Sequence, residues 1–319
     1  ESLTENTGIV LGVGSGGKLE AESVYHDYLK SGARHAHFSR LANLCPATSA
    51  DHITTALKIM GPKTTFMTAC SSGATAVGFA RDLIVQGAAS IMIAGGVEPL
   101  SRTTYATFNA LQAVDPEYCK PFDRKRQGLS LGEAAAFLIL ESLAHALKRN
   151  ARIYGEVLGY GVTCDAHHMT APDPEGSGAV RSIRAALQDA ALSPATVDYI
   201  CAHGTATPAN DAMEVKAIRE VFEKDSTRIP VSSIKSMTGH TLGASGALAA
   251  VASLIAIRDG FIPPTIHHEA PDPGCDLDFV STGARPAVLN VVLANAFAFG
   301  GNNTSLLLGR YTEKGLPHE

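Results

Sequence analysis

Apolar runs of strand length alternate with helix-length segments along the whole chain. Gly8 to Val13 predicts a strand that enters a glycine-rich turn, Gly14-Ser15-Gly16-Gly17. Lys63 to Thr68 predicts a second strand, and Ser72 to Gln86, with apolar and small residues at helical spacing, a helix. Ser90 to Gly96 and Ala134 to Glu141 read as strands, the latter followed by a helical stretch to Asn150. The rhythm then repeats. Tyr154 to Gly161 is strand-like, Ser177 to Ala191 an amphipathic helix, and Tyr199 to Ala202 a short strand leading into His203. Asn210 to Phe222 reads as a helix, Ile229 to Ser233 as a strand and Gly243 to Arg258 as a helix of small residues. Val288 to Phe297 and Ser305 to Leu308 close the pattern as strands. Such alternation predicts a layered α/β fold. The similar order of elements suggests two similar halves, about 1–150 and about 151–312. No period of 20–50 residues recurs, which excludes a solenoid.

Composition narrows the function classes. The chain has 319 residues, 45% hydrophobic and 18% charged, ample for a large core. Its net charge of −5 argues against a nucleic-acid binder. Cys45, Cys70, Cys119, Cys164, Cys201 and Cys275 are scattered with no CxxC pair, so neither disulfides nor a metal site is expected, and a reducing cytoplasm fits. The longest apolar run, Ala247 to Ile257, is too short to span a bilayer, and no signal peptide is visible. The chain opens at Glu1 and reaches its first strand almost at once, which leads us to expect a further N-terminal piece.

Four segments carry candidate chemistry. Cys70, in Thr68-Ala69-Cys70-Ser71-Ser72-Gly73, sits where a strand run gives way to a helix. A thiol there faces unpaired N–H groups and the positive helix end, both of which favour thiolate, and it could carry an acyl group as a thioester. The alternative is a small core residue. His203 leaves a strand end into Gly204-Thr205-Ala206-Thr207, either as part of a ligand site or bonded only to its own loop. Lys235 and His240 lie in a Gly/Ser/Thr-rich loop just before a helix, where the lysine charge would keep the imidazole neutral and able to donate. A solvated surface loop is the other reading of that segment. Finally, Phe299-Gly300-Gly301 pairs an aromatic ring with a flexible, exposed backbone, as a movable gate or as a plain turn.

Cys70 in TACSSGATA, His203 in AHGTATPAND, Lys235 and His240 in KSMTGHTLGASG and Phe299 in NAFAFGGNN occur in that order. With IAGGVEPL, PFDRKRQGLSLGEAA and DAHHMTAP, the ordered set resembles the elongating β-ketoacyl-acyl carrier protein synthases of the thiolase-like superfamily, over essentially the whole chain. The resemblance implies a five-layered αβαβα fold and an acyltransferase performing decarboxylative condensation with malonyl-acyl carrier protein. It implies Cys70 as nucleophile, and His203 and His240 as hydrogen-bond donors to the malonyl thioester. Lys235 would orient them, and Cys70 and Phe299 N–H would form the oxyanion hole, with Phe299 as gate. Thr205, Thr207, Thr170, Gly300 and Gly301 would line the pantetheine path. No cofactor is implied beyond the carrier's 4′-phosphopantetheine. A homodimer, or a heterodimer with a ketosynthase-like subunit, would be the assembly. Lys30, Arg34, Arg124, Lys125 and Arg126 would be the docking positions for the acidic carrier.

Two residues depart from the family pattern. Ala249 stands where many fatty-acid enzymes carry a glutamate, so type II polyketide and polyene pathways stay open beside fatty-acid elongation. Asn302 replaces the usual threonine. A thiolase would be expected to use a second cysteine near the C-terminus, where this chain has Phe297 to Asn303. A chain-length-factor subunit would usually lack the nucleophile.

Overall fold

The computed structural model describes residues 6–312. Two sheets organise them. The first places β2 (Lys63–Phe66), β1 (Thr7–Val13), β3 (Ile91–Glu98) and β4 (Ala134–Glu141) side by side in that order. β1 runs parallel to β2 and β3, and β4 is antiparallel to β3. In the second, six-stranded sheet the order is β5 (Glu156–Cys164), β12 (Asn302–Gly309), β11 (Val291–Ala298), β6 (Tyr199–Cys201), β7 (Pro230–Ser232) and β9 (Asp278–Phe279). β8 (Phe261–Ile262) and β10 (Arg285–Pro286) form a small separate pair.

Between the sheets lie α3 (Ser72–Val85) and α9 (Ser245–Asp259), packed on each other and on strands of both sheets. Small residues make that close approach possible: a Cβ at Gly73 would stand 2.8 Å from the Gly243 carbonyl, and one at Gly246 2.6 Å from the Ala74 nitrogen. The core there joins Val10, Val77, Met92, Ile257, Val292 and Leu306. The helical run Leu242–Asp259 has a mean hydropathy of 1.4, and 67% of it is buried inside the fold, as a central core helix should be.

On the far side of the second sheet, α6 (Ser177–Asp189) and α7 (Pro208–Phe222) bury Ile183 and Ile218 against Ile200 and Leu293. On the far side of the first, α2 (Thr48–Leu57) sets Ala50 on Ile9 and Leu11. Helix, sheet, helix pair, sheet, helix: five layers, as expected.

α1 (Lys18–Ser31) and α4 (Arg102–Ala110) join α2 as helices the hydrophobic pattern did not announce. The Gly/Ser/Thr-rich loop expected between Ser233 and Gly243 holds the short α8 (Lys235–Thr238) and runs into a 3₁₀ turn at Leu242–Ala244. Its serines and threonines bond backbone groups locally, such as Ser236 Oγ to the Ser233 carbonyl at 3.0 Å. α5 (Leu143–Lys148) follows β4 directly.

Candidate active site

Cys70 lies on the 3₁₀ turn Ala69–Ser71 that leads into α3. Ala69 is in the left-handed region at φ 50°, a conformation a non-glycine residue adopts only when its surroundings impose it. They do. Ser72 Oγ accepts from the Thr68 N–H at 2.9 Å and donates to the Ala69 carbonyl at 2.7 Å, while Thr75 Oγ1 donates to the Ser71 carbonyl at 3.1 Å. The thiol is 6% exposed. Burial pushes its pKa up to about 12, Glu98 adds to the rise, and Lys235 and the backbone hydrogen bonds of Phe299 and Cys70 itself oppose it. The expected thiolate is therefore not favoured at rest. Desolvation outweighs the helix end.

His203 follows β6, and its backbone is gripped from both sides. Its N–H donates to Glu214 Oε1 at 2.8 Å, and its carbonyl accepts from Lys235 Nζ at 2.6 Å. Lys235 is thus a structural clamp on the loop, itself held through its own carbonyl by the Cys119 thiol at 3.2 Å. The ring of His203 meets that of His240 edge-on, centroids 5.3 Å apart. His240 Nδ1 accepts from the Leu242 N–H at 3.2 Å, which leaves the ring proton on Nε2 and makes that nitrogen a donor. Burial first, then the charge of Lys235, holds both imidazoles well below their ordinary pKa, so both are neutral. The lysine effect foreseen from the sequence is real but secondary to desolvation.

A cavity of about 320 Å³ brings Cys70, His203, His240, Phe299, Thr170, Thr205 and Thr207 to one surface. Phe108 and Leu129 complete an apolar cluster with Cys70, and Phe108 stacks on Phe299 at 5.6 Å. Gly300 and Gly301 are placed differently from expectation. They stand behind Phe299 with positive φ, Gly300 N–H donating to the Met169 carbonyl at 2.8 Å and Gly301 O accepting from the Asp165 N–H at 2.9 Å. They shape the turn after Phe299 instead of lining the cavity. Asn302 closes that turn by donating from Nδ2 to the Phe299 carbonyl at 3.0 Å.

Lys30, Arg34, Arg124 and Lys125 are exposed, with no ion-pair partner among the described residues. Arg126 is not available for docking. Its guanidinium is consumed by Asp272 at 2.5 Å and Asp211 at 3.8 Å and is nearly buried. Cys275 belongs to the core beneath α7, and among the described residues no second cysteine lines the cavity.

The sequence reading gave no role to the buried carboxylates, among them Glu214, Asp211 and Glu98. Asp211 collects the N–H groups of Phe122, Thr205 and Ala206. Glu214 and Asp211 sit on one α7 face following His203, a spacing that could have flagged them. Phe108 was missed with its helix. Among the described residues no group of three or more His, Cys, Asp or Glu is placed to hold a metal ion.

Family models for the N-terminal and C-terminal domains of beta-ketoacyl synthases match residues 1–146 and 154–269. The 3-oxoacyl-[acyl-carrier-protein] synthase 2 of Coxiella burnetii is 42% identical over 97% of the chain and 77% of its own length. That of Synechocystis is 43% identical over 98% and 76%. Among solved structures, the ishigamide ketosynthase/chain length factor superposes with a TM-score of 0.92 at 39% identity, over 97% of this chain and 76% of that one. The AntDE ketosynthase in complex with the carrier protein AntF gives 0.93 at 31%, over 98% and 79%.

Proposed function

The chain belongs to the β-ketoacyl synthase family, and from that premise we propose that it lengthens a carrier-bound acyl chain by decarboxylative condensation at Cys70. Its fold is the thiolase-like one, and its overall role is condensation in fatty-acid or polyketide elongation. The two similar halves would meet near residue 150, the cysteine in the first and the histidines and lysine in the second. The observation that carries the assignment is the convergence of Cys70, His203, His240 and Phe299 on one cavity.

In the first half-reaction the Cys70 sulfur attacks the acyl thioester of a pantetheine arm. The new C–S bond forms first to give a tetrahedral oxyanion, whose collapse breaks the old C–S bond, and the thiol proton ends on the departing pantetheine sulfur. Because Cys70 rests as a buried thiol, that proton must move during the transfer. N–H groups of Cys70 and Phe299 would stabilise the tetrahedral oxyanion, the two backbone groups that also act on the sulfur. Malonyl-carrier then replaces the first carrier and loses CO₂. The electron pair left behind becomes an enolate whose oxygen accepts hydrogen bonds from neutral His203 and His240. The enolate carbon attacks the Cys70 thioester and expels the thiolate, which takes up a proton from solvent to restore the resting thiol, and the product is two carbons longer. Thr205, Thr207 and Thr170 would bind the pantetheine arm in the same cavity. An acidic acyl carrier protein would be the partner, in a homodimer or a heterodimer with a related subunit.

A non-condensing chain-length factor is the second reading, favoured by solved neighbours in ketosynthase/chain length factor complexes. An intact Cys70 with both histidines favours the condensing enzyme. The test is to alkylate with iodoacetamide, locate the adduct by mass, and measure CO₂ release from malonyl-carrier. Labelling at Cys70 with decarboxylation is expected, and Cys70→Gln should lose condensation while retaining decarboxylation. An unlabelled Cys70 with no CO₂ release would overturn the assignment.

A further inference from the structure

Glu98 ends β3 and is 2% exposed, a buried carboxylate that the chemistry above does not use. Its oxygens are surrounded by donors from two separate parts of the chain. Gly14 N–H reaches Oε2 at 2.7 Å and Ser15 N–H reaches Oε1 at 2.8 Å, with the Ser15 hydroxyl also bonded to Oε1. Those residues form the turn after β1. The remaining donor is the Gly243 N–H, at 3.0 Å from Oε2, and it belongs to the His240 loop. The cradle is cut to fit: a Cβ on Gly14 would stand 2.3 Å from Oε2, and one on Gly243 2.8 Å from it. A buried carboxylate with several charge-assisted hydrogen bonds is a rigid anchor.

What it anchors lies one residue away. Leu242 is held at φ 43°, left-handed and unfavourable for a leucine. In that conformation its own N–H reaches His240 Nδ1 while the next N–H, that of Gly243, reaches Glu98. From this geometry we infer that Glu98 is a positioning residue for His240. By holding the Gly243 N–H it keeps Leu242 in its strained form, which keeps the Leu242 N–H on Nδ1 and the imidazole proton on Nε2. The function served is presentation of a neutral donor to the malonyl thioester. The inference rests on the role proposed for His240, but its readouts do not.

The test is Glu98→Gln, which preserves volume but puts an amide N–H₂ among donors. Selective ¹⁵N-histidine NMR, with His240 assigned by a His240→Asn control, reports the tautomer directly. The intact protein should show the proton on Nε2, and the variant a mixture of tautomers. Decarboxylation of malonyl-carrier should fall on the order of 10–100-fold, short of the 10²–10³ of a fully lost oxyanion donor, while acyl loading of Cys70 should not fall, because the Glu98 charge only disfavours its thiolate. If the tautomer is unchanged, or loading and decarboxylation fall by the same factor, Glu98 has no such role. Should Glu98→Gln not fold, Glu98→Asp keeps the charge while withdrawing the oxygens, and the same two readouts decide. An intact protein that loads no acyl group and releases no CO₂ would sink the proposed function, while the tautomer comparison would still judge Glu98.

Discussion

Burial pushes the Cys70 thiol up to about 12, which disfavours thiolate at neutral pH. The sign is testable. Iodoacetamide alkylation of Cys70 in the free protein, followed by intact mass, should keep accelerating between pH 8 and 10; a free cysteine would level off near 9. A plateau below pH 8 would show the helix end winning over burial. The histidines carry a second consequence. Unfolded imidazole takes up a proton below about 6.5, whereas buried His240 stays neutral to well below that. Stability contributed by the neutral ring is therefore present above the unfolded pKa and lost as pH falls. Between pH 7.5 and 5.5 the loss for one such group is on the order of 1 kcal/mol. Denaturant titrations of His240→Asn should show a pH-dependent loss smaller by about that amount. Equal losses in the two proteins would mean that the folded ring protonates normally.

At the scale of elements, the site depends on where helices begin. α3 opens with the Cys70 turn and α9 opens just after His240, so the packing of one helix on the other sets Cys70, the proposed nucleophile, against His240, the proposed enolate donor. Gly246→Val would drive a branched side chain into the Ala74 backbone, 2.6 Å from where its Cβ would sit. We expect destabilisation of about 1–3 kcal/mol in chemical denaturation, with condensation reduced further than the folded fraction explains. α4 governs a different property. Phe108 stacks on Phe299 at the apolar end of the cavity, so Phe108→Ala should admit longer acyl chains. The preference for the longer of two chains should shift by about 10-fold or more, read by competing acyl-carriers for Cys70. An unchanged preference would place the chain-length boundary elsewhere. α4 also marks where the hydrophobic pattern fell silent. Its Arg-Thr-Thr-Tyr-Ala-Thr-Phe-Asn-Ala run has a single long apolar residue facing in, and α1 buries only Val24 fully, so neither shows a helical stripe. The longer β-strands and α3, α6, α7 and α9 were legible from their apolar runs, whereas the two-residue strands β8, β9 and β10 were not. The Cys70, His203, His240 and Phe299 motifs were legible as turns at element ends. Glu98 and Glu214 were not, because what gives a buried carboxylate its role is the set of N–H groups that folding brings to it from distant segments.

The molecule as a whole is acidic, at −5, yet its proposed partner is an acidic carrier. Long-range charge would then oppose encounter, and productive docking needs a local positive patch. Two patches compete for that role. Lys30 and Arg34 stand at and beyond the end of α1, remote in sequence from the cavity wall. Arg124 and Lys125 lie between Phe122, tied to the His203 loop through Asp211, and Gln127, which lines the cavity. A pantetheine arm entering past Thr205 and Thr207 would bring its carrier to the second patch. Arg124→Glu with Lys125→Glu should therefore raise KM for carrier-bound substrate on the order of 10-fold and flatten its salt dependence, with turnover of a free pantetheine thioester unchanged. Lys30→Glu with Arg34→Glu should move KM far less. The reverse ranking would place the carrier over α1, and equal insensitivity of both pairs would mean that docking is apolar.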